Sequence, residues 1–426
     1  MFFSIEVVLL LALVLAIFLG FKFKVNTGII SIAFAFILGF FVYEPSKSDP
    51  DILVRLSSSA AKAKTLISGW PSKLFFILLG MTLLFSIARS NGSLELLARK
   101  AAYLTKGNRK LTPIIFFVFS TFLAAIGPGN IAVCALVLPI AMAVAKEMKI
   151  SPLLIAGMTI AGSNAGGLSP LAPTGIIATD LSRAAGFEIG YYVFLQMVIA
   201  QVILAIFLYF GLGGYKSSKD QTLEIRKPDR FNKKQLITLF VISLVVILII
   251  VFKFNIGFAA FIGSAILLLI KVSNQKDAIA GIPWSTLLLV CGVGVLVKVI
   301  SVGGGIDLLT NTLSKFMNER SAGSIVAIIG GLMSSVSSAS GVVMPTLIPT
   351  VSGLADSLNI SGLTLITGIV LGAHFVTNSP LSTLGALAIA SADESIDREK
   401  FFRQLLLLGF GGVLFGAAII FIGIVG

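Results

Sequence analysis

A chain of 426 residues that is 57% hydrophobic and only 12% charged, with a mean hydropathy of +1.03, cannot clothe a water-facing surface, for which about a quarter charged is usual. Its net charge of +13 lies in loops beside apolar stretches, where basic residues set membrane orientation and meet anionic headgroups, so it does not point to nucleic acid. No zinc spacing, P-loop or nucleotide-binding glycine motif stands out, which argues against a built-in ATP engine.

The apolar stretches at 7–21, 27–42, 191–210, 236–252 and 405–424 approach the roughly 20 residues that cross a bilayer as helix. They lack the short alternating pattern of a membrane β-barrel. The first has no basic leader and no small-residue cleavage site, so it reads as a span and not a signal peptide. Cys134 and Cys291 fall inside apolar runs and read as small buried hydrophobes outside any disulfide framework. Residues 216–234 carry seven Lys or Arg and form a polar linker, read as cytoplasmic.

On either side of that linker the chain repeats itself. Sliding it by 210 positions gives eleven identities across 126–175, among them Val133/Val343, Pro139/Pro349, Ala145/Ala355, Gly162/Gly372 and Gly175/Gly385. About four would arise by accident in so biased a composition. Farther out, Trp70 and Gly80 align with Trp284 and Gly294. The expected fold is therefore an all-α polytopic membrane protein of two inverted-topology repeats, with about 10 transmembrane helices, two re-entrant hairpins and two broken helices. The first repeat spans 1–212, with a hairpin at 111–146 and a broken span at 152–186. The linker is 213–234, and the second repeat spans 235–426, with a hairpin at 321–356 and a broken span at 361–392.

Inversion follows from five crossings per half. Loop charge supports it: 89–110 holds six Lys or Arg, whereas 301–321 holds two, offset by Asp307 and Glu319. Both termini then fall outside the cytoplasm, in the plasma (inner) membrane. The stretch 44–73 fits this topology poorly, with five Lys or Arg against three acids on the outer face.

Each hairpin arm has about 16 residues and rises only some 24 Å, so both arms enter and leave on one side. Their tips, Gly127-Pro128-Gly129-Asn130 and Ser337-Ser338-Ala339-Ser340, then lie at membrane depth, tolerable only against protein or a water-filled cavity. The broken spans are interrupted by Pro170, Pro173 and Pro380 and by glycines. Matching interruptions in two halves mark a transporter's binding site. Exposed amides at new helix N-termini favour carboxylates, and exposed carbonyls with Ser, Thr and Asn oxygens suit a hard monovalent cation.

Candidate substrate ligands are Asn130, Asn164, Thr174, Ser340, His374, Asn378 and Thr383. Candidate sodium ligands are Gly127, Gly129, Ser163, Gly167, Ser337, Ser338, Thr377 and Ser379. No Asp or Glu lies within the tips or unwound stretches, where a proton relay normally places an acid. Two residues keep alternatives open. His374, the only histidine, either meets substrate, carries a proton or packs with a hydrogen bond, and Lys298 reads as a snorkelling residue near a span end.

At these motifs the chain resembles the ion transporter superfamily and its sodium-coupled divalent-anion symporters. The runs GMTLLFSIARSNGSLELLARKA (80–101), AAIGPGNIAVCALVLPIAMAVA and ISPLLIAGMTIAGSNAGGLSP look closest to the bacterial malonate/dicarboxylate carriers. That resemblance implies a homodimer in the lipid bilayer in which hairpins and broken spans move past a fixed scaffold, an elevator-type cycle. The substrate would be a dicarboxylate such as malonate or a C4-dicarboxylate, with sodium as coupling ion. The symporters carry Ser-Asn-Thr at each tip; here the first tip keeps Asn130 alone and the second has neither Asn nor Thr.

The expected activity is thus secondary symport of a small organic anion, without covalent cofactor, nucleic-acid partner or enzymatic chemistry. A proton-coupled or exchange carrier of the same fold is the nearest alternative. A passive channel is the alternative from another class.

Overall fold

The computed structural model describes residues 4–42, 66–216 and 227–426; most of the charge-mismatched stretch at 44–73 and the middle of the central linker lie outside the described residues. Among those described the chain is all helix, and nine helices are long and apolar enough to cross a membrane. Four shorter apolar helices, including Leu111–Ala125 and Ala322–Ser335, accompany them.

The helical segments run α1 (Ile5–Phe23), α2 (Thr27–Val42), α3 (Ser72–Ser90), α4 (Ser93–Leu104), α5 (Leu111–Ala125), α6 (Gly129–Glu147), α7 (Pro152–Gly167), α8 (Pro173–Ala184) and α9 (Tyr192–Gly211). After the linker come α10 (Lys233–Ile250), α11 (Ile256–Leu269), the short α12 (Gln275–Ala280), α13 (Trp284–Val302), α14 (Gly305–Ser314), α15 (Ala322–Ser335), α16 (Ala339–Leu358), α17 (Gly362–Phe375), α18 (Thr383–Ala390) and α19 (Arg398–Phe421). From α3 to α9 and again from α13 to α19 the order is the same: a long helix, a short one, two arms, a long helix that stops, a stub and a last long helix.

The residues identical at an offset of 210 do identical work. Ser151 and Ser361 cap α7 and α17 by accepting from Leu154 N (3.5 Å) and Leu363 N (3.3 Å). Just before them Lys149 and Asn359 adopt left-handed φ of 52° and 51°, and Ile150 and Ile360 donate back to Ala145 and Ala355. Gly162 lies against the carbonyl of Phe117 and Gly372 against that of Ala327, again 210 apart, because α7 crosses α5 and α17 crosses α15 closely. At each break Ser169 and Ser379 accept from Leu171 N and Leu381 N, both 3.3 Å, which turns the chain into the following stub.

Farther out the structural offset is 212. Pro71 and Pro283 precede α3 and α13 with matching ψ of 70° and 66°. The pairing Trp70/Trp284 is therefore displaced by two: Trp70 precedes its proline, whereas Trp284 opens its helix. Gly80 corresponds to Gly292, and each sits at a close crossing. α3 packs on α11 with Gly80 at the Gly257 carbonyl, while α13 packs on α2 with Gly292 at the Gly28 carbonyl. Each half thus grips the other's long helix. Both cysteines are buried and free.

Candidate functional site

The two tips solve the same turn differently. In the first, α5 ends at Ala125 and the chain turns through Gly127 and Gly129 at φ of +143° and +76°. An L side chain is strained at such angles, and a Cβ on Gly127 would enter the Phe85 ring. In the second, Ser338 caps the helix: its Oγ accepts from Gly341 N at 3.1 Å. Its carbonyl accepts from both Val342 N and Val343 N, which widens the first turn of α16. Farther along α16, Pro345 and Pro349 withdraw two donors, and Ile348–Thr350 tightens into a 3₁₀ turn.

From the first tip a buried polar chain crosses to the other half. Asn130 Nδ2 donates to Asn164 Oδ1 (3.0 Å). Asn164, fully buried, spends both amide protons on the C-terminal half: on Thr377 Oγ1 (2.8 Å) and on the His374 carbonyl (3.2 Å). Thr377 Oγ1 donates to that same carbonyl at 2.7 Å. The His374 ring is buried, with Nδ1 2.7 Å from the Val370 carbonyl; a carbonyl only accepts, so Nδ1 carries the proton. Satisfied networks of this kind specify one arrangement of their elements.

Ser163 Oγ donates to the Ile160 carbonyl and meets Cys134 Sγ at 2.9 Å. Asn378 is fully buried, and its Oδ1 has no partner among the described residues. Gly167 is buried against Asn130, and Ser379 is buried at the second break. Ser337 Oγ donates to the Met333 carbonyl at 2.6 Å.

A cavity of about 160 Å³ opens between the tips. Asn130 and Ser340, 210 residues apart, both line it, as do Gly129 and Thr174. Asn164, His374, Thr377 and Asn378 stand outside it, in or beside the network that Asn130 enters. Thr383 is exposed at the start of α18 and does not reach it. Four helices present their first turns here: α6 through Gly129 and Asn130, α8 through Pro173 and Thr174, α13 through Thr286 and α16 through Ser340. Each carries the partial positive charge of a helix N-terminus. Arg89 adds a full one, and among the described residues it has no hydrogen bond or ion pair and no carboxylate lines the cavity.

Arg89 was not among the sequence candidates, having been counted as loop charge. Its signal is the stripe Thr82, Phe85, Ser86, Arg89 at helical spacing, a polar face on an otherwise apolar span.

Among solved structures the chain is similar to the YdaH transporter of Alcanivorax borkumensis, whose structure was described as having an unusual topology. The TM-score is 0.62 at 12% identity, over 93% of this chain and 97% of that one. The protein is therefore a multi-pass helical membrane protein with the fold of a known transporter.

Residues 3–167 match the family model of the dicarboxylate carrier protein MatC N-terminus. The resemblance to dicarboxylate carriers read from the motifs in the first half thus holds over that stretch, which ends just after Asn164. No curated protein matches the chain by sequence.

Proposed function

We propose that the protein is a secondary active symporter of a small organic anion, a dicarboxylate such as malonate or a C4-dicarboxylate, driven by sodium. One observation carries the reading: a cavity between the two tips that gathers four helix N-termini and the Arg89 guanidinium and, among the described residues, holds no acid. Such a site attracts carboxylates, and Arg suits their planar geometry. The match of residues 3–167 to the dicarboxylate carrier model supports that substrate class. Sodium coupling rests on the neutral oxygens around the breaks, Thr377, Ser379 and the unpartnered Oδ1 of Asn378 among them.

The halves read as inverted repeats. The cavity touches the C-terminal end of α3 and the N-terminal end of its counterpart α13, as it does when the two run in opposite directions. In the proposed cycle the paired arms and broken spans move as a body past α1–α3 and α10–α13, in a homodimer of the plasma membrane with both termini outside. Purified protein in liposomes should accumulate labelled malonate or succinate under an inward sodium gradient. Uptake that ignored sodium but followed a proton gradient would replace the coupling ion. Flux with no accumulation would replace the carrier with a channel.

A further inference from the structure

A second cavity, of about 400 Å³, repeats the lining of the first. Thr82, Phe85, Ser86 and Arg89 of α3 have as counterparts, 212 residues on, Gly294, Val297, Lys298 and Ser301 of α13, and all four line the second cavity. Gly281, Pro283 and Thr286 in the first cavity correspond in the same way to Gly69, Pro71 and Leu74 in the second, and Ala135 corresponds to Pro345.

The two cavities sit at opposite ends of the same helices. The first touches α3 from Thr82 to Arg89 and the second only at Leu74 and the preceding Pro71, about 20 Å away at 1.5 Å per residue. Between them stands the stub α8, with Pro173, Thr174 and Ile177 toward the first cavity and Asp180, Leu181 and Ala184 toward the second. Each cavity has one cation from the same stripe, one turn apart: Arg89 in one and Lys298 in the other. Neither makes a hydrogen bond or ion pair among the described residues.

We infer that Lys298 is the anion-capturing group of a second substrate vestibule on the opposite face of the membrane, the counterpart of the Arg89 vestibule. The inference rests on the anion-carrier reading. The vestibules differ in charge: beside Lys298 lie Asp180 and the C-terminal end of α8, whereas the Arg89 side has four helix N-termini and, among the described residues, no acid. Asp180 repels a dianion that Lys298 attracts, so the Lys298 face binds substrate more weakly and releases it more readily.

The test is the KM for labelled malonate, measured separately from each face in proteoliposomes of known orientation. Lys298→Gln should raise KM about tenfold from one face and leave the other unchanged, with Lys298→Arg restoring it. Asp180→Asn should lower KM from that same face. Arg89→Gln should raise KM from the opposite face. Wild type that carries malonate while Lys298→Gln and Asp180→Asn leave both faces unaltered overturns this inference alone, as does finding Arg89→Gln and Lys298→Gln on the same face. Wild type that carries no small dicarboxylate overturns the function together with it.

Discussion

The two tips occupy equivalent places and meet at one cavity, yet they are built in opposite ways. The first rests on backbone: two glycines at positive φ, a nineteen-residue helix behind them, and Asn130 joined to Asn164. The second rests on side chains: Ser338 caps a widened turn, and α16 behind it is segmented around Pro345 and Pro349. The first tip is therefore held in place by the core of the protein. The second makes its side-chain hydrogen bonds within its own segment among the described residues, and beyond them it is held by apolar packing of Val342 and Val343.

That contrast is most exposed by truncating the two equivalent side chains. Asn130→Ala leaves the buried Asn164 Oδ1 without its donor, costing about 1–3 kcal/mol of stability, and removes a side chain from the cavity, so kcat/KM for malonate uptake should fall by more than about tenfold. Ser340→Ala, with no network behind it, should cost less than about tenfold. Equal losses would break the asymmetry.

Stability should divide the tips in the same way. Gly127→Ala combines a strained φ with overlap on Phe85, for about 2–4 kcal/mol together. Ser338→Ala loses a helix cap, worth about 1 kcal/mol. Thermal unfolding in detergent reads both, and a Gly127→Ala protein as stable as Ser338→Ala contradicts a backbone-built first tip.

His374→Gln sharpens the role of the network. The ring faces its own helix carbonyl and lies outside the cavity, so the pH profile of uptake should be unchanged across the range where a histidine titrates, about pH 5–8. A profile that moves would put the ring in the coupling step.

The smallest effect concerns Lys146 at the end of α6, which donates to Asp393 in the loop before α19 at 2.7 Å. That bond, aided by Ser395, holds the Asp393 carboxyl far below the usual carboxylate range. A lowered value contributes stability above the ordinary carboxylate pKa, about 3.9, and the contribution fades as pH falls below it. The pair is exposed, so Asp393→Asn should lower the melting temperature only slightly at pH 7, and the difference should vanish in acid.

The architecture was legible in the sequence wherever special backbone was needed. The repeated Ser, Pro and Gly residues mark caps, breaks and close crossings, and apolar runs mark the spans. Legibility failed where packing decides. Trp70 and Trp284 drew the outer alignment two residues out of place, because the structurally equivalent residues there are Pro71 and Pro283. At the site, Asn130, Thr174 and Ser340 could be placed at the cavity because tip and break residues have few other uses at membrane depth. Arg89 and Lys298 could not, since a basic residue near a span end looks the same whether it turns to lipid headgroups or to a vestibule. Asn164 and His374 aligned with each other in sequence, but only the fold reveals that one donates to the other's carbonyl.

The reciprocal grip between the halves bears on how the protein is made. Asn26, at the start of α2, is tied through its side chain to Ser285 in α13, 259 residues later. At about 5–20 residues per second, α2 leaves the ribosome roughly 13–50 s before its partner exists. Until then the Gly28 side of α2 has no α13 to meet, and in lipid the missing contacts cost little because lipid is as apolar as the helix that will replace it. A soluble protein left that long with an unpaired apolar face would aggregate. In the bilayer, α2 can wait.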